Sequence, residues 1–138
     1  MSKLTIRAGL EQGRAAYAYQ CAQKGASLDK KKEYKSYVKK MPMLIKTNGL
    51  GAAVAFAFAK GAKNGVAQEN DPWGLLYDQL EQWIREKGML GQFPENRLAE
   101  KLTGISSADY RAATVEILAL LNWIKRFADA LIEGTAED

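Results

Sequence analysis

The sequence predicts an all-α protein: a single domain built as a bundle of about five or six helices, with a long helix at the C-terminal end. Apolar residues recur at helical spacing along most of the chain, and no stretch alternates convincingly as a strand. The 138 residues are the size of one domain and show no repeat, low-complexity tract or linker. With 47% apolar and 26% charged residues, we expect a packed core throughout 1–138, with 134–138 a loose tail.

The first helix is predicted from about Leu4 to Lys24, where Gly25 ends it. One of its faces is apolar. A second face is basic with an aromatic residue interleaved, and consists of Lys3, Arg7, Leu10, Arg14 and Tyr17.

The second helix follows in "KKKEYKSYVKKM", where Ser27 or Asp29 can supply the N-cap. Pro42 stops this helix or begins the next one. Its inward seam is predicted to be Tyr34, Tyr37, Val38 and Met41. A stripe of lysines at helical spacing flanks the seam: Lys31, Lys35 and Lys39.

The third helix, predicted over 43–62, is apolar nearly all round, so we expect it at the centre of the fold. One narrow stripe is different, because two lysines bracket small residues over about 21 Å of helix. Tight helix packing and a shallow basic groove for a nucleic-acid backbone both remain open for this stripe. Its members are Lys46, Gly49, Ala53, Ala57 and Lys60.

A polar segment, "NGVAQEN", is predicted to be a flexible loop before the fourth helix. Asp71 caps that helix, with Pro72 at its first position. The apolar stripe of this helix comprises Trp73, Leu76, Tyr77, Leu80, Trp83 and Ile84.

A short helix over 94–102 precedes the long last helix, which runs from Ser107 to about Glu133 and ends at Gly134. Ser106 and Asp109 form its capping box. The predicted core face is Tyr110, Ala113, Ile117, Leu121, Ile124, Ala128 and Leu131. Outside this face lie apolar and basic residues together, a combination that suits contact with both protein and RNA: Val115, Leu118, Trp123, Arg111, Lys125 and Arg126.

Charge divides the chain in two. Residues 1–65 contain 13 Lys and Arg against 3 Asp and Glu, a net of +10, whereas residues 66–138 contain 7 against 13, a net of −6. Such asymmetry indicates a polyanionic partner for the first half, or head-to-tail association of copies. Solvated helix surface is the plainer alternative.

The chain lacks the side chains of common catalytic sites. Without histidine, it has neither the usual general base nor the commonest zinc ligand, and no phosphate loop or nucleophile elbow occurs. We therefore expect a protein that is not an enzyme and has no metal or cofactor. The single Cys21 excludes an internal disulfide and suits a reducing cytoplasm. The longest apolar run, 50–59, is about half a membrane span, and the N-terminus carries charges where a secretory signal is apolar.

The stretch "YKSYVKKMPMLIKTNGLGAAVAFAFAK" resembles the signature of a known family, the small all-helical subunit of the type III-B CRISPR–Cas effector, or Cmr complex. The segments "WGLLYDQLEQWI" and "YRAATVEILALLNWIKRFADALIEG" fit the same family in the same order. The resemblance implies a non-catalytic member of an RNA-guided antiviral machine. Its copies would stack into a filament beside the subunits that hold the guide RNA, with target RNA between them.

The expected partners are therefore guide CRISPR RNA, target RNA, other Cmr subunits and copies of this chain, in the cytoplasm and without a membrane. The residues predicted to neutralise RNA phosphates, without reading bases, are Arg14, Lys35, Lys39, Lys40, Lys46, Lys60, Lys125 and Arg126. Tyr17 and Trp73 could stack on bases, although core positions are expected for both. Two alternatives stay open: a helical adaptor that binds only protein, and an enzyme whose carboxylates converge from different helices.

Overall fold

A computed structural model describes the backbone of residues 3–134 and the side chains from residue 9 onward. Six helices and one short hairpin follow one another as α1 (Lys3–Ala26), α2 (Lys31–Asn48), α3 (Leu50–Gly61), β1 (Ala62–Lys63), β2 (Val66–Ala67), α4 (Pro72–Lys87), α5 (Leu98–Lys101) and α6 (Ser107–Leu131). The predicted all-α domain with a long C-terminal helix is confirmed. The tail beyond Gly134, and the side chains of Lys3, Leu4, Arg7 and Ala8, lie outside the described residues.

The central helix is α4, not the third helix as predicted. It contacts α1, α2, α3 and α6, and eleven of its sixteen residues are buried. In α3 only five residues are buried, and Phe56 is 42% exposed. Apolar composition misled the prediction because the exposed positions of α3 are mostly alanines, which are tolerated on either side of a helix.

The boundary between α2 and α3 lies at Gly49, and Pro42 lies inside α2. Proline removes one hydrogen-bond donor, but buried side chains on both sides of it, Met41 and Ile45, hold this helix against the core. Gly49 has a φ of +91°, which residues with a Cβ rarely adopt. The break between the two helices therefore falls at the glycine.

The end of α1 also differs from the prediction. The helix continues through Gly25 to Ala26, and Gly25 is buried against the ring of Tyr34, where a Cβ would collide. Neither predicted residue caps α2: its N-cap is Lys30, without a side-chain hydrogen bond. The Ser27 hydroxyl instead donates to the Lys24 carbonyl at 2.6 Å, closing the end of α1.

The predicted flexible loop begins as a hairpin. Asn64 and Gly65 form its turn with φ values of +52° and +77°, and Ala62 pairs with Ala67. Positive φ at both central positions is what a two-residue hairpin requires, and Asn-Gly is its usual sequence. The prediction failed because strands of two residues are too short to show alternation.

Both predicted N-caps of the second half are confirmed. Asp71 accepts a hydrogen bond from the Gly74 amide at 3.0 Å, and Ser106 accepts one from the Asp109 amide at 3.1 Å. The last two helices are shorter than predicted, since α5 spans only Leu98–Lys101 and α6 ends three residues before Gly134. None of the helices described in residues 3–134 combines the length and hydropathy needed to cross a membrane.

Candidate nucleic-acid interface

A groove of about 510 Å³ runs between α2 and α6, and we call it the α2–α6 groove. Three lysines line it and no carboxylate does: Lys39, Lys46 and Lys125. The remaining lining residues are Pro42, Met43, Leu118, Ala119, Leu121 and Asn122. Three of the eight predicted cations, taken from two helices far apart in sequence, therefore meet at one surface.

Helix geometry explains this convergence. Lys39 and Lys46 are seven residues apart on α2, so both project from the same side of that helix. Buried residues anchor α2 and α6 on the sides that face the core, among them Val38, Ile45 and Ile124. The lysines at the margin of this contact remain exposed. Burial of the apolar stripes thus positions the cations.

Two of the predicted cations are engaged inside the fold instead. The ammonium of Lys35 donates to the carbonyls of Ile132 at 2.7 Å and Gly134 at 3.1 Å, and the side chain is only 12% exposed. These carbonyls follow the end of α6, where a cation is favoured by the unpaired carbonyls and the helix dipole. This bonding counts against an RNA contact by Lys35.

Arg14 forms a two-pronged ion pair with Glu116, with nitrogen–oxygen distances of 2.8 and 2.9 Å. The Trp83 indole also donates to this carboxylate at 2.9 Å. Burial raises the pKa of Glu116, but the hydrogen bonds from Arg14 and Trp83 outweigh burial, so its pKa lies below the ordinary value of 4.5. Arg14 is thereby held between α1 and α6, which counts against its predicted contact with phosphate.

Tyr17 belongs to the same packed surface. Its hydroxyl donates to the Gln79 carbonyl at 2.6 Å, and its ring lies 4.7 Å from that of Trp83. Burial is the main reason that the pKa of Tyr17 is strongly raised. Arg14 and Tyr17 of the predicted basic face of α1 therefore pack against α6 and α4, whereas Leu10 of the same face is 47% exposed.

The other three cations lie outside the α2–α6 groove, each over an aromatic ring. Lys40 is 5.9 Å from the ring centre of Tyr37, Lys60 is 5.7 Å from that of Phe56, and Arg126 is 5.4 Å from that of Trp123. Such placement stabilises an exposed cation modestly and fixes its direction. All three side chains remain exposed to solvent.

The small-residue stripe of the predicted third helix does not form a basic groove. Ala53 and Ala57 are buried in the core, at 2% and 0% exposure, and the helix breaks at Gly49. The packing interpretation is the right one, because the small residues let neighbouring elements approach closely. Lys46 and Lys60 consequently lie on different helices and do not bracket one surface.

The sequence did not single out three residues that line the α2–α6 groove, Met43, Ala119 and Asn122, or one exposed aromatic residue, Phe56. Met43 is 67% exposed, an unusual state for a methionine that follows a buried seam. Its position next to Pro42 was the sequence feature that could have indicated this exposure. In the part of the chain with described side chains, no three metal-ligating residues cluster so as to hold a metal ion.

Comparison with known proteins agrees with the fold and with the sequence motifs. The family model for CRISPR-associated protein (Cas_Cmr5) matches residues 10–131. The CRISPR system Cmr subunit Cmr5 of Thermus thermophilus is 33% identical over 119 residues, spanning 86% of this chain and 92% of that protein. The X-ray structure of a CRISPR-associated Cmr5 family protein from the same organism has a TM-score of 0.71 at 31% identity, over 89% of this chain and 96% of that one. The chain belongs to the Cmr5 family of CRISPR-associated proteins.

Proposed function

We propose that this chain is a non-catalytic subunit of an RNA-guided Cmr effector complex and that it holds guide and target RNA by their phosphates along the α2–α6 groove. The observation that supports this best is the convergence of Lys39, Lys46 and Lys125 on one groove without a lining carboxylate. Phosphate contacts provide affinity without reading sequence. Base pairing with the guide already provides specificity in such complexes, so backbone contacts suffice.

The three lysines of the α2–α6 groove differ in whether an ion pair engages them. No ion pair engages Lys46 or Lys125 within the described side chains, whereas Lys39 lies 3.0 Å from Asp129. Both members of that pair are more than 40% exposed, and exposed pairs contribute about 1 kcal/mol or less. Lys39 can therefore exchange Asp129 for a phosphate. Lys40, Lys60 and Arg126 are proposed as further contacts, while Arg14 and Lys35 are left out because they bond within the fold.

Assembly with other Cmr subunits and with copies of this chain, stacked into a filament in the cytoplasm, is the second part of the proposal. Two exposed apolar side chains outside the α2–α6 groove support it, Val115 at 68% and Leu10 at 47% exposure. Large apolar residues so exposed are frequent where proteins meet. They would also suit an adaptor that binds protein alone, and a measurement of RNA retention separates the two functions.

The test is RNA retention by a reconstituted complex that carries Lys46→Glu and Lys125→Glu in this subunit. We expect target RNA to bind more weakly, to a similar degree for every target sequence. The slope of log affinity against log salt should become shallower by about 0.7 for each phosphate that the variant no longer neutralises. Lys87→Glu is the matched control, since Lys87 is exposed at the end of α4 and does not line the α2–α6 groove.

Unchanged affinity and an unchanged salt slope in the double variant would contradict phosphate binding by this groove. If the variant subunit also failed to join the complex, as judged by its copy number in native mass spectrometry, the groove would be a protein-docking surface. The groove lysines would then contact a protein partner, as the adaptor function requires.

A further inference from the structure

We propose that Phe56 is a stacking platform for one unpaired RNA base, and that Lys40 and Lys60 contact the phosphates around that base. This inference rests on the proposed function, because it requires RNA to lie on this subunit. It adds a second surface, formed by α3, α2 and the start of α4, to the α2–α6 groove. It also assigns a ligand chemistry, the face of a nucleobase, that the lysines of the groove do not bind.

The first observation is a cluster of three aromatic rings whose outermost member reaches solvent. Tyr37 and Trp73 are stacked, with ring centres 4.2 Å apart and planes 9° apart. Phe56 meets Trp73 edge to face, at 5.2 Å and 89°. Trp73 is buried at 8% exposure, whereas Phe56 is 42% exposed. The outer ring thus packs against a buried one, so stacking on it costs little conformational freedom.

The second observation is the space around Phe56. Its neighbours on the surface of α3, one turn before and one turn after, are Ala52 and Ala59, and both are exposed. Ala55, the preceding residue, is exposed as well. The one long neighbour on this part of the helix surface is Lys60, whose ammonium lies over the ring. Because Lys60 is exposed and its side chain is flexible, it can move aside for a planar ligand and pair with the phosphate that the ligand carries.

The third observation is charge. Lys60 lies 5.7 Å from the centre of Phe56, and Lys40 lies 5.9 Å from the centre of Tyr37, so a cation flanks each end of the aromatic cluster. Neither lysine forms an ion pair with any side chain that the structure describes. A nucleotide presents a π face with a phosphate on either side of it. Proteins that hold single strands without sequence preference combine these same elements, a cationic track and exposed aromatic rings.

A protein partner fits this surface less well. Docking surfaces for protein are centred on contiguous apolar area, with charged residues depleted at the centre. Here a single ring stands among alanines and between two lysines, which leaves little apolar area around it. The chemistry favours a polyanion that carries flat aromatic groups. We therefore assign the surface to single-stranded RNA.

The experiment is photo-crosslinking in the reconstituted complex, using target RNA in which uridine is replaced by 4-thiouridine. Trypsin separates the two surfaces, since it releases 41–46 from the α2–α6 groove and 47–60 from the Phe56 surface. We expect a crosslink in the peptide 47–60. It should disappear in Phe56→Leu and persist in Phe56→Trp, because tryptophan retains a stacking face.

Affinity provides the second readout. Phe56→Leu should weaken target-RNA binding by about 5-fold or more, the effect of losing one base–aromatic stack. Tyr19→Leu is a closely matched control: Tyr19 is 41% exposed and meets Phe127 edge to face at 5.2 Å and 89°. That variant should bind RNA as the parent does. Melting temperatures of both variants show whether folding is affected equally.

The position of the crosslinks decides between the proposed surfaces. Crosslinks confined to 41–46 would overturn base stacking and leave phosphate binding by the groove intact. Crosslinks absent from this subunit would count against both. A Phe56→Leu variant that changes the copy number of the subunit, with no crosslink in 47–60, would make the surface a protein contact and overturn the proposal.

Discussion

Glu116 is the residue at which α1, α4 and α6 are joined. Its carboxylate accepts two hydrogen bonds from Arg14 and one from the Trp83 indole, and the side chain is 14% exposed. Hydrogen bonds to a charged group contribute more than neutral ones, especially when partly shielded from water. The stability of the three-helix contact should therefore depend on the ionised state of this one carboxyl.

We expect Glu116→Gln to lower the free energy of unfolding by about 2 kcal/mol at neutral pH, because Arg14 loses its counter-charge. The folded pKa of Glu116 is below its ordinary value of 4.5, so this stabilisation is complete above pH 4.5. It fades as the pH falls through the lower folded pKa. Urea unfolding of parent and variant across this range measures the difference.

Glu95→Gln is the control, since Glu95 is exposed and makes no side-chain hydrogen bond to another described residue. Its effect should be close to zero at every pH. A Glu116→Gln penalty of equal size at pH 7 and pH 3 would show that altered packing, not the missing charge, is responsible.

The partners of individual cations explain why only part of the site could be predicted from the sequence. Arg14 and Lys46 both looked like cations on a helix face, yet Arg14 finds a carboxylate 102 residues away. Lys35 finds carbonyls 97 and 99 residues away. Such partners depend on the register of α6 against α1 and α2, which no local pattern contains. The exposed cations were predictable from sequence, but the division into free and bonded ones was not.

For the helices, the sequence predicted correctly those boundaries that contacts between neighbouring residues determine. Asp71–Pro72 and Ser106 began their helices as expected, because capping is a contact between residues three apart. The predicted helix boundaries were wrong at glycines whose role depends on contacts elsewhere in the fold. Gly25 lies inside α1 because the ring of Tyr34 packs against it. Gly49 separates α2 from α3, whereas the boundary was predicted at Pro42. A glycine that ends a helix and one that permits close approach look alike in sequence.

Gly61 and Gly74 give the sharpest test of close approach. They hold the end of α3 against the start of α4, and a Cβ on Gly61 would collide with the Gly74 backbone. We expect Gly61→Ala to destabilise the protein by about 3 kcal/mol, because backbone cannot move aside as a side chain can. Chemical denaturation gives the value.

Gly13→Ala is the matched change at an exposed glycine in the interior of α1, with nothing within 4 Å of the added carbon. There alanine should stabilise the protein by about 0.5–1 kcal/mol through helix propensity. Equal effects at both sites would mean that the α3–α4 contact gives way readily, contrary to its assigned role.

For the whole molecule, the structure changes what the charge asymmetry means. Four of the ion pairs between described side chains join the basic first half to the acidic second half: Arg14–Glu116, Lys24–Glu69, Lys35–Asp129 and Lys39–Asp129. Part of the asymmetry is thus neutralised inside one copy. Lys40, Lys46 and Lys60, on the proposed RNA surfaces, keep no such partner among the described side chains. Neither do the exposed Lys30, Lys31, Lys32 and Lys63, so an excess of positive charge remains on the first half.

The positive charge that remains unpaired on the first half predicts how copies of the chain associate. If the basic half of one copy meets the acidic half of the next, association should weaken as salt rises from about 0.1 M to about 1 M, since the screening length falls from about 10 Å to about 3 Å. Sedimentation velocity at both salt concentrations measures this, with circular dichroism to verify that the helices persist. Association that strengthens with salt would instead indicate contacts through apolar side chains outside the α2–α6 groove, such as Val115, because apolar burial is not screened. In that case the lysines would be free for RNA along the entire filament, and RNA binding and assembly would respond to salt in opposite directions.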